Sequence, residues 1–205
     1  LHERLRGPLP EIMALLAREA GAVFAQSPKD LGLDKKRELD VATSMLFFAN
    51  MMKYVVRTLG QKPMRLFRVE TPPGKLALLP TDPLALAAGE DYFKERPKKE
   101  LWFAIGKALA FARPELTLAR LMPHDQLEVV FQAACSLGTS RFVVTADAAQ
   151  VEKVKRQLAR ALPPVTQSQL LKVLARKYTE VQHPGDVRAY MDGCELTSNR
   201  VGALL

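Results

Sequence analysis

An α+β fold, mostly helical with a small β-sheet near residues 63–80, is predicted by three observations. Over most of the chain, apolar residues recur at the spacing that puts them on one face of a helix. Between Pro63 and Glu70 the pattern switches to MRLFRV, a short β-type run followed by Thr71-Pro72-Pro73-Gly74. From Leu101 to Ala112 every side chain except Lys107 is apolar or absent, and a helix that is apolar all round is normally buried.

Taken in order, Leu9 to Gln26 reads as a first helix, with Ile12, Leu15, Leu16, Val23 and Phe24 at helical spacing. Asp34 to Leu59 reads as a longer one, with Leu46, Ala49, Val56 and Leu59 on its stripe and Gly60 as its stop. Strands are expected at Arg65 to Val69 and Lys75 to Leu79, joined by the Thr71–Gly74 turn. A short apolar stretch at Leu84 to Ala88 comes next. Pro97, Lys98, Lys99 and Glu100 then suit the start of the helix ELWFAIGKALAFA. Another helix is expected from His124 to Leu137, ended by Gly138. The run RFVVT at 141–145 reads as a third strand or an extended link. Asp147 to Leu162 is amphipathic and basic, Pro163-Pro164 breaks it, and Ser168 to Tyr178 is helical. After the His183-Pro184-Gly185 turn a last helix begins near Asp186. No repeat of fixed period and no low-complexity linker is present, which makes a single domain over 1–205 the economical reading. Residues 1–60 form its helical part, and 61–205 hold the β element and the later helices.

Among the 205 residues, 48% are hydrophobic, enough for a sizeable core. No apolar run approaches the roughly 20 residues that span a bilayer, and LHERLRG lacks the apolar core of a signal peptide. A soluble, cytoplasmic chain is expected. The start at Leu1 and the end inside VGALL suggest a piece of a longer polypeptide. Cys135 and Cys194 lie in apolar surroundings without metal-ligand spacing and read as buried reduced thiols. A net charge of +8, from 30 Lys and Arg against 22 Asp and Glu, permits acidic partners without naming one.

Two segments carry a resemblance. ELWFAIG at 100–106 fits E-L-x-x-x-[I/V]-[G/A], and ELTSNRVG at 195–202 fits E-L-T-x-x-R-x-G. Together with the preceding β element, this order resembles the zinc metallopeptidases related to the CAAX prenyl protease and HtpX, over roughly residues 63–205. The resemblance implies zincin-like helices, the first carrying His-Glu-x-x-His and the second a Glu as third zinc ligand. Laid residue by residue, the first His falls on Lys107, the Glu on Ala108 and the second His on Phe111. Glu195 keeps the third-ligand position, and Asn199 stands where a further acidic residue is expected.

Such a site needs two imidazoles one turn apart and a carboxylate to take a proton from the zinc-bound water. An ammonium, a methyl group and a phenyl ring supply neither, so no metal, no cofactor and no hydrolysis by this mechanism are expected. A buried ammonium needs a carboxylate within about 4 Å to stay charged. The resemblance offers Glu195 as that partner for Lys107; the alternative is a lysine that snorkels to the surface.

Other constellations are weaker. His2, His124 and His183 are scattered, and His124 beside Asp125 reads as a helix-start residue. Lys153, Arg156 and Arg160 share one helix face, followed by Lys172, Arg176 and Lys177 on the next helix. That stripe could track phosphates or an anionic surface, or be an ordinary solvated face, and no aromatic residue alternates with it to stack on bases. The expected function is that of a noncatalytic peptidase-like domain of a longer bacterial protein. It would act as a scaffold or interaction module toward another protein or neighbouring domains. The alternatives are a basic nucleic-acid or anionic-surface binder and a hydrolase with an unrecognised site.

Overall fold

The computed structural model describes residues 2–70, 76–94, 96–180 and 186–205. The expected turns at Thr71–Gly74 and His183–Gly185, with the strand start at Lys75, lie outside the described residues. The elements run α1 (Pro8–Glu19), β1 (Glu38–Leu39), α2 (Phe47–Thr58), β2 (Arg65–Val69), β3 (Leu76–Leu79), β4 (Ala85–Gly89), α3 (Lys98–Ala110) and α4 (Pro114–Leu121). They continue with α5 (His124–Gly138), α6 (Ala148–Ala161), a π-helical turn (Thr166–Leu171), α7 (Lys172–Glu180) and α8 (Val187–Leu204). The fold is α+β and mostly helical, with one small mixed sheet. Its chain divides into two compact units, each discontinuous in sequence: Leu1–Val23 with Pro114–Leu196, and Phe24–Arg113 with Thr197–Leu205.

The first unit is all-helical. α5 is its central helix, packed by α1, α4, α6 and α7, and α1 also packs on α4 and α7. A Cβ on Gly138 would stand 2.8 Å from the Leu171 carbonyl oxygen, so glycine there lets the π-helical turn lie against α5. The RFVVT run is an extended link, and Gln132 explains why. This residue is 4% exposed, its Oε1 accepts from the N–H groups of Thr145 (2.8 Å) and Ala146 (2.9 Å), and its Nε2 donates to Thr145 Oγ1 at 2.8 Å. One side chain takes the bonds that a neighbouring strand would otherwise supply. Gln132→Leu should leave both N–H groups unsatisfied and lower stability by about 2 kcal/mol, read from the urea midpoint; an unchanged midpoint would contradict this role.

The second unit holds the sheet, in the order β1-β2-β4-β3. β2 and β4 are parallel, with Arg65 opposite Ala85 and Val69 opposite Gly89, while β1 and β3 pair antiparallel on the outer sides. The two strands expected from sequence are thus not neighbours: β4 lies between them. β4 is ALAAG, buried at every residue. A strand covered on both faces shows no alternation, which is why Leu84–Ala88 reads only as an apolar stretch. α2 packs on α3, α3 on β3, and Phe48 meets the rings of Tyr92 (5.5 Å) and Phe93 (5.3 Å).

The continuous helix expected over Asp34–Leu59 is not formed. Instead Lys35–Arg37 make a 3-10 turn, Glu38–Leu39 become β1, and α2 begins only at Phe47. Asp34 accepts from Lys36 N–H at 2.9 Å, and Asp40 from Ala42 N–H (2.9 Å) and the Thr43 hydroxyl (2.8 Å). Short polar side chains bonding nearby backbone in this way compete with helix. The tertiary contribution is a bidentate pair, Arg65 Nε and Nη2 to Glu38 at 2.6 and 2.8 Å, which holds β1 on β2 and keeps the Glu38 carboxyl below its ordinary range. The first helix likewise stops early, at Glu19, and a 3-10 turn follows over Gly21–Phe24. The Ser168–Tyr178 helix is the π-helical turn running into α7.

Candidate functional site

α3 begins at Lys98 after Pro97, with Glu100 in its first turn and Lys107 in its last. That placement puts negative charge near the positive end of the helix dipole and the ammonium near its negative end. Lys107 is half-buried in the last turn of this helix. Ala108 is buried and Phe111, the residue capping the helix, is 3% exposed. Gln61 closes the same end, its Nε2 donating to the Leu109 carbonyl at 2.6 Å. The positions that would carry the second imidazole and the general base therefore hold a packed ring and a buried methyl group.

Within the second unit, α3 meets the C-terminal turns of α8 at two glycines. A Cβ on Gly106 would stand 3.2 Å from Gly202 Cα, and one on Gly202 would stand 2.7 Å from the Phe103 carbonyl oxygen. Neither helix could approach so closely with a side chain at these positions. Gly106 ends the first quoted motif and Gly202 the second, so two segments singled out far apart in sequence touch backbone to backbone.

Of the remaining positions that the resemblance singles out, Asn199 lies half-buried on α8 in the second unit, and Glu195 is exposed in the first unit. Lys107 and Glu195 thus fall in different units. No protein-family model matches this chain, and neither a curated protein nor a solved structure matches it.

The basic positions lie in the first unit. Lys153, Arg156 and Arg160 are exposed on α6, and Lys172 and Arg176 on α7. Glu152 lies 3.6 Å from Arg156 and 3.7 Å from Lys155, while Lys177 pairs with Glu11 at 3.9 Å, so part of the charge is locally compensated. The exposed apolar residues nearby are Val165, Leu170 and Val173, aliphatic groups that cannot stack on bases.

Among the described residues no cluster of three His, Cys, Asp or Glu has metal-binding geometry. His2 caps the first turn by accepting from Arg4 N–H, and His124 opens α5 with Asp125 at 3.1 Å. His183 lies outside the described residues. Both cysteines are buried and free; burial pushes the Cys194 thiol up to about 12 and raises Cys135 as well. Since the thiolate is the reactive form, iodoacetamide at pH 8 should label neither cysteine in the folded protein and both in urea. Rapid labelling of the native chain would show that one of them is accessible.

One feature of the second unit escapes the sequence reading. Phe47, Asn50 and Tyr54 line one exposed face of α2, and the Tyr54 ring stands edge-on to Trp102 of α3 at 5.2 Å. Asn50, Met51, Tyr54, Trp102 and Leu205 line an open groove of about 490 Å³. The signal was present as Phe47, Asn50 and Tyr54 at i, i+3 and i+7, but a helix drawn from Asp34 obscures where that face begins.

Proposed function

We propose that this chain is a noncatalytic, metallopeptidase-like domain that serves as a protein-interaction module. The observation that supports the reading is the meeting of Gly106 and Gly202, the glycines of the two motif segments, beside positions where zinc chemistry would need His, Glu and His and the chain has Lys107, Ala108 and Phe111. A helix pair kept in close contact without its reactive groups is suited to presenting a surface.

The surface that fits best is the outer side of β3. Its inner side pairs with β4, and among the described residues no strand pairs with the outer one. The strand reads Leu-Ala-Leu-Leu, without the charge or proline that usually protects a sheet edge. An extended peptide can add there, matching main-chain donors and acceptors. β2 is paired on both sides, with β1 and with β4, and offers no free edge.

The test is Leu76→Pro and Ala77→Pro made separately. Successive N–H groups of a strand point to opposite sides, so one variant removes an outward donor while leaving the β4 ladder intact. That folded variant should lose the proteins retained by the wild-type chain in affinity capture, and undiminished capture would remove β3 as the binding edge. Transfer to a basic, nucleic-acid-binding function would require capture to collapse with modest salt and with nuclease treatment.

A further inference from the structure

The groove between α2 and α3 has a chemical character of its own. Tyr54 is 59% exposed and Phe47 52% exposed, unusual for aromatic rings in one surface row. Among the described residues neither the Tyr54 hydroxyl nor the Trp102 indole N–H makes a hydrogen bond. The pair therefore offers an apolar wall whose polar groups face solvent and can bond a ligand in place of water.

The side-chain charge on the groove side of α2 and α3 is of one sign. α2 carries Lys53 and Arg57 and no acidic residue, and Arg57 continues the Phe47-Asn50-Tyr54 face by one turn. On α3, Lys98 and Lys99 lie one turn before Trp102 on its side of the helix, and the Lys98 ammonium sits 5.8 Å over the Phe47 ring. Glu100, two residues from Trp102, falls on the opposite side of α3.

We propose that this groove docks an acidic peptide segment of a partner protein, anchored by one large apolar side chain against Tyr54 and Trp102. This rests on the interaction-module reading and adds to it a second surface and the chemistry of its occupant. An apolar slot with Lys98, Lys99 and Arg57 one helical turn from its Trp102 and Tyr54 complements a hydrophobic anchor flanked by carboxylates. A second copy of a chain with net charge +8 is the less complementary occupant. Single-stranded nucleic acid is disfavoured because the two rings stand at 80°, edge to face, and do not form parallel faces that could sandwich a base.

Trp102 is the chain's single tryptophan, so its emission reports the groove directly. The probes are short synthetic peptides with a central leucine, flanked by glutamate, serine or lysine, with oligouridylate as the nucleic-acid competitor. The glutamate-flanked peptide should shift Trp102 emission saturably and bind about tenfold more tightly than the serine-flanked one at low salt. That advantage should shrink as ionic strength rises. Tyr54→Ala and the double variant Lys98→Glu/Lys99→Glu alter exposed side chains and should keep the wild-type melting profile while weakening this binding about tenfold.

Equal binding of the three peptides, no saturable response from any of them, insensitivity to both variants, or stronger binding of oligouridylate would each overturn the proposal. Failure here leaves capture at β3 intact, whereas failure of the β3 test leaves the groove titration unchanged, so the two results are separable.

Discussion

Phe111→Ala is expected to destabilise the protein by about 3–5 kcal/mol, the range for truncating a buried aromatic side chain. The ring is 3% exposed at the capped end of α3, beside the Leu109 carbonyl held by Gln61. If the position still bordered an open cleft, water would fill the space and the cost would be small. If the ring is part of the core, the variant leaves a cavity and the urea midpoint falls sharply at unchanged slope. A loss under about 1 kcal/mol would mean that the ring is dispensable and not part of the core.

The second large effect is expected at Gly202. Adding one methyl group places it 2.7 Å from the Phe103 carbonyl oxygen and 3.0 Å from the Phe103 ring, and the backbone atom cannot swing aside as a side-chain end can. Gly202→Ala should therefore cost about 3 kcal/mol, the upper end of what overpacking usually costs, although alanine is the better helix former. Gly21→Ala is the control, because a Cβ there meets nothing within 4 Å and its φ lies outside the positive region. That substitution should change stability by less than about 0.5 kcal/mol. Equal effects at the two glycines would contradict the close α3–α8 contact.

The long helices were legible because their signals are local. Asp147 caps α6 through bonds to the N–H groups of Ala149 (2.9 Å) and Gln150 (3.0 Å), and Gly138 ends α5 as its position suggests. α4 has a good helix start in Pro114 and Glu115 but is only eight residues long, too short for a helical period to stand out. The errors at Asp34–Leu59 and Leu84–Ala88 have one cause. β1 is fixed by Arg65, well downstream, and β4 by partners on both sides, and no local propensity encodes either.

The candidate site divides in the same way. The two motif glycines were quoted from sequence, but that they touch required the fold. The half-buried state of Lys107 could not be read from an apolar run, because periodicity alone does not say how far a long side chain extends from its helix. The groove at Tyr54 and Trp102 joins helices whose pairing no periodicity reveals.

The most direct test of the central claim is the zinc retained after incubation with excess metal and gel filtration, read by elemental analysis. Wild type is measured beside the triple variant Lys107→His/Ala108→Glu/Phe111→His. The proposed reading, in which α3 resembles a zinc-binding helix but carries Lys107, Ala108 and Phe111, predicts no stoichiometric zinc in wild type and about one ion per chain in the folded variant. Stoichiometric zinc in wild type, or none in a variant shown to be folded, would contradict the account.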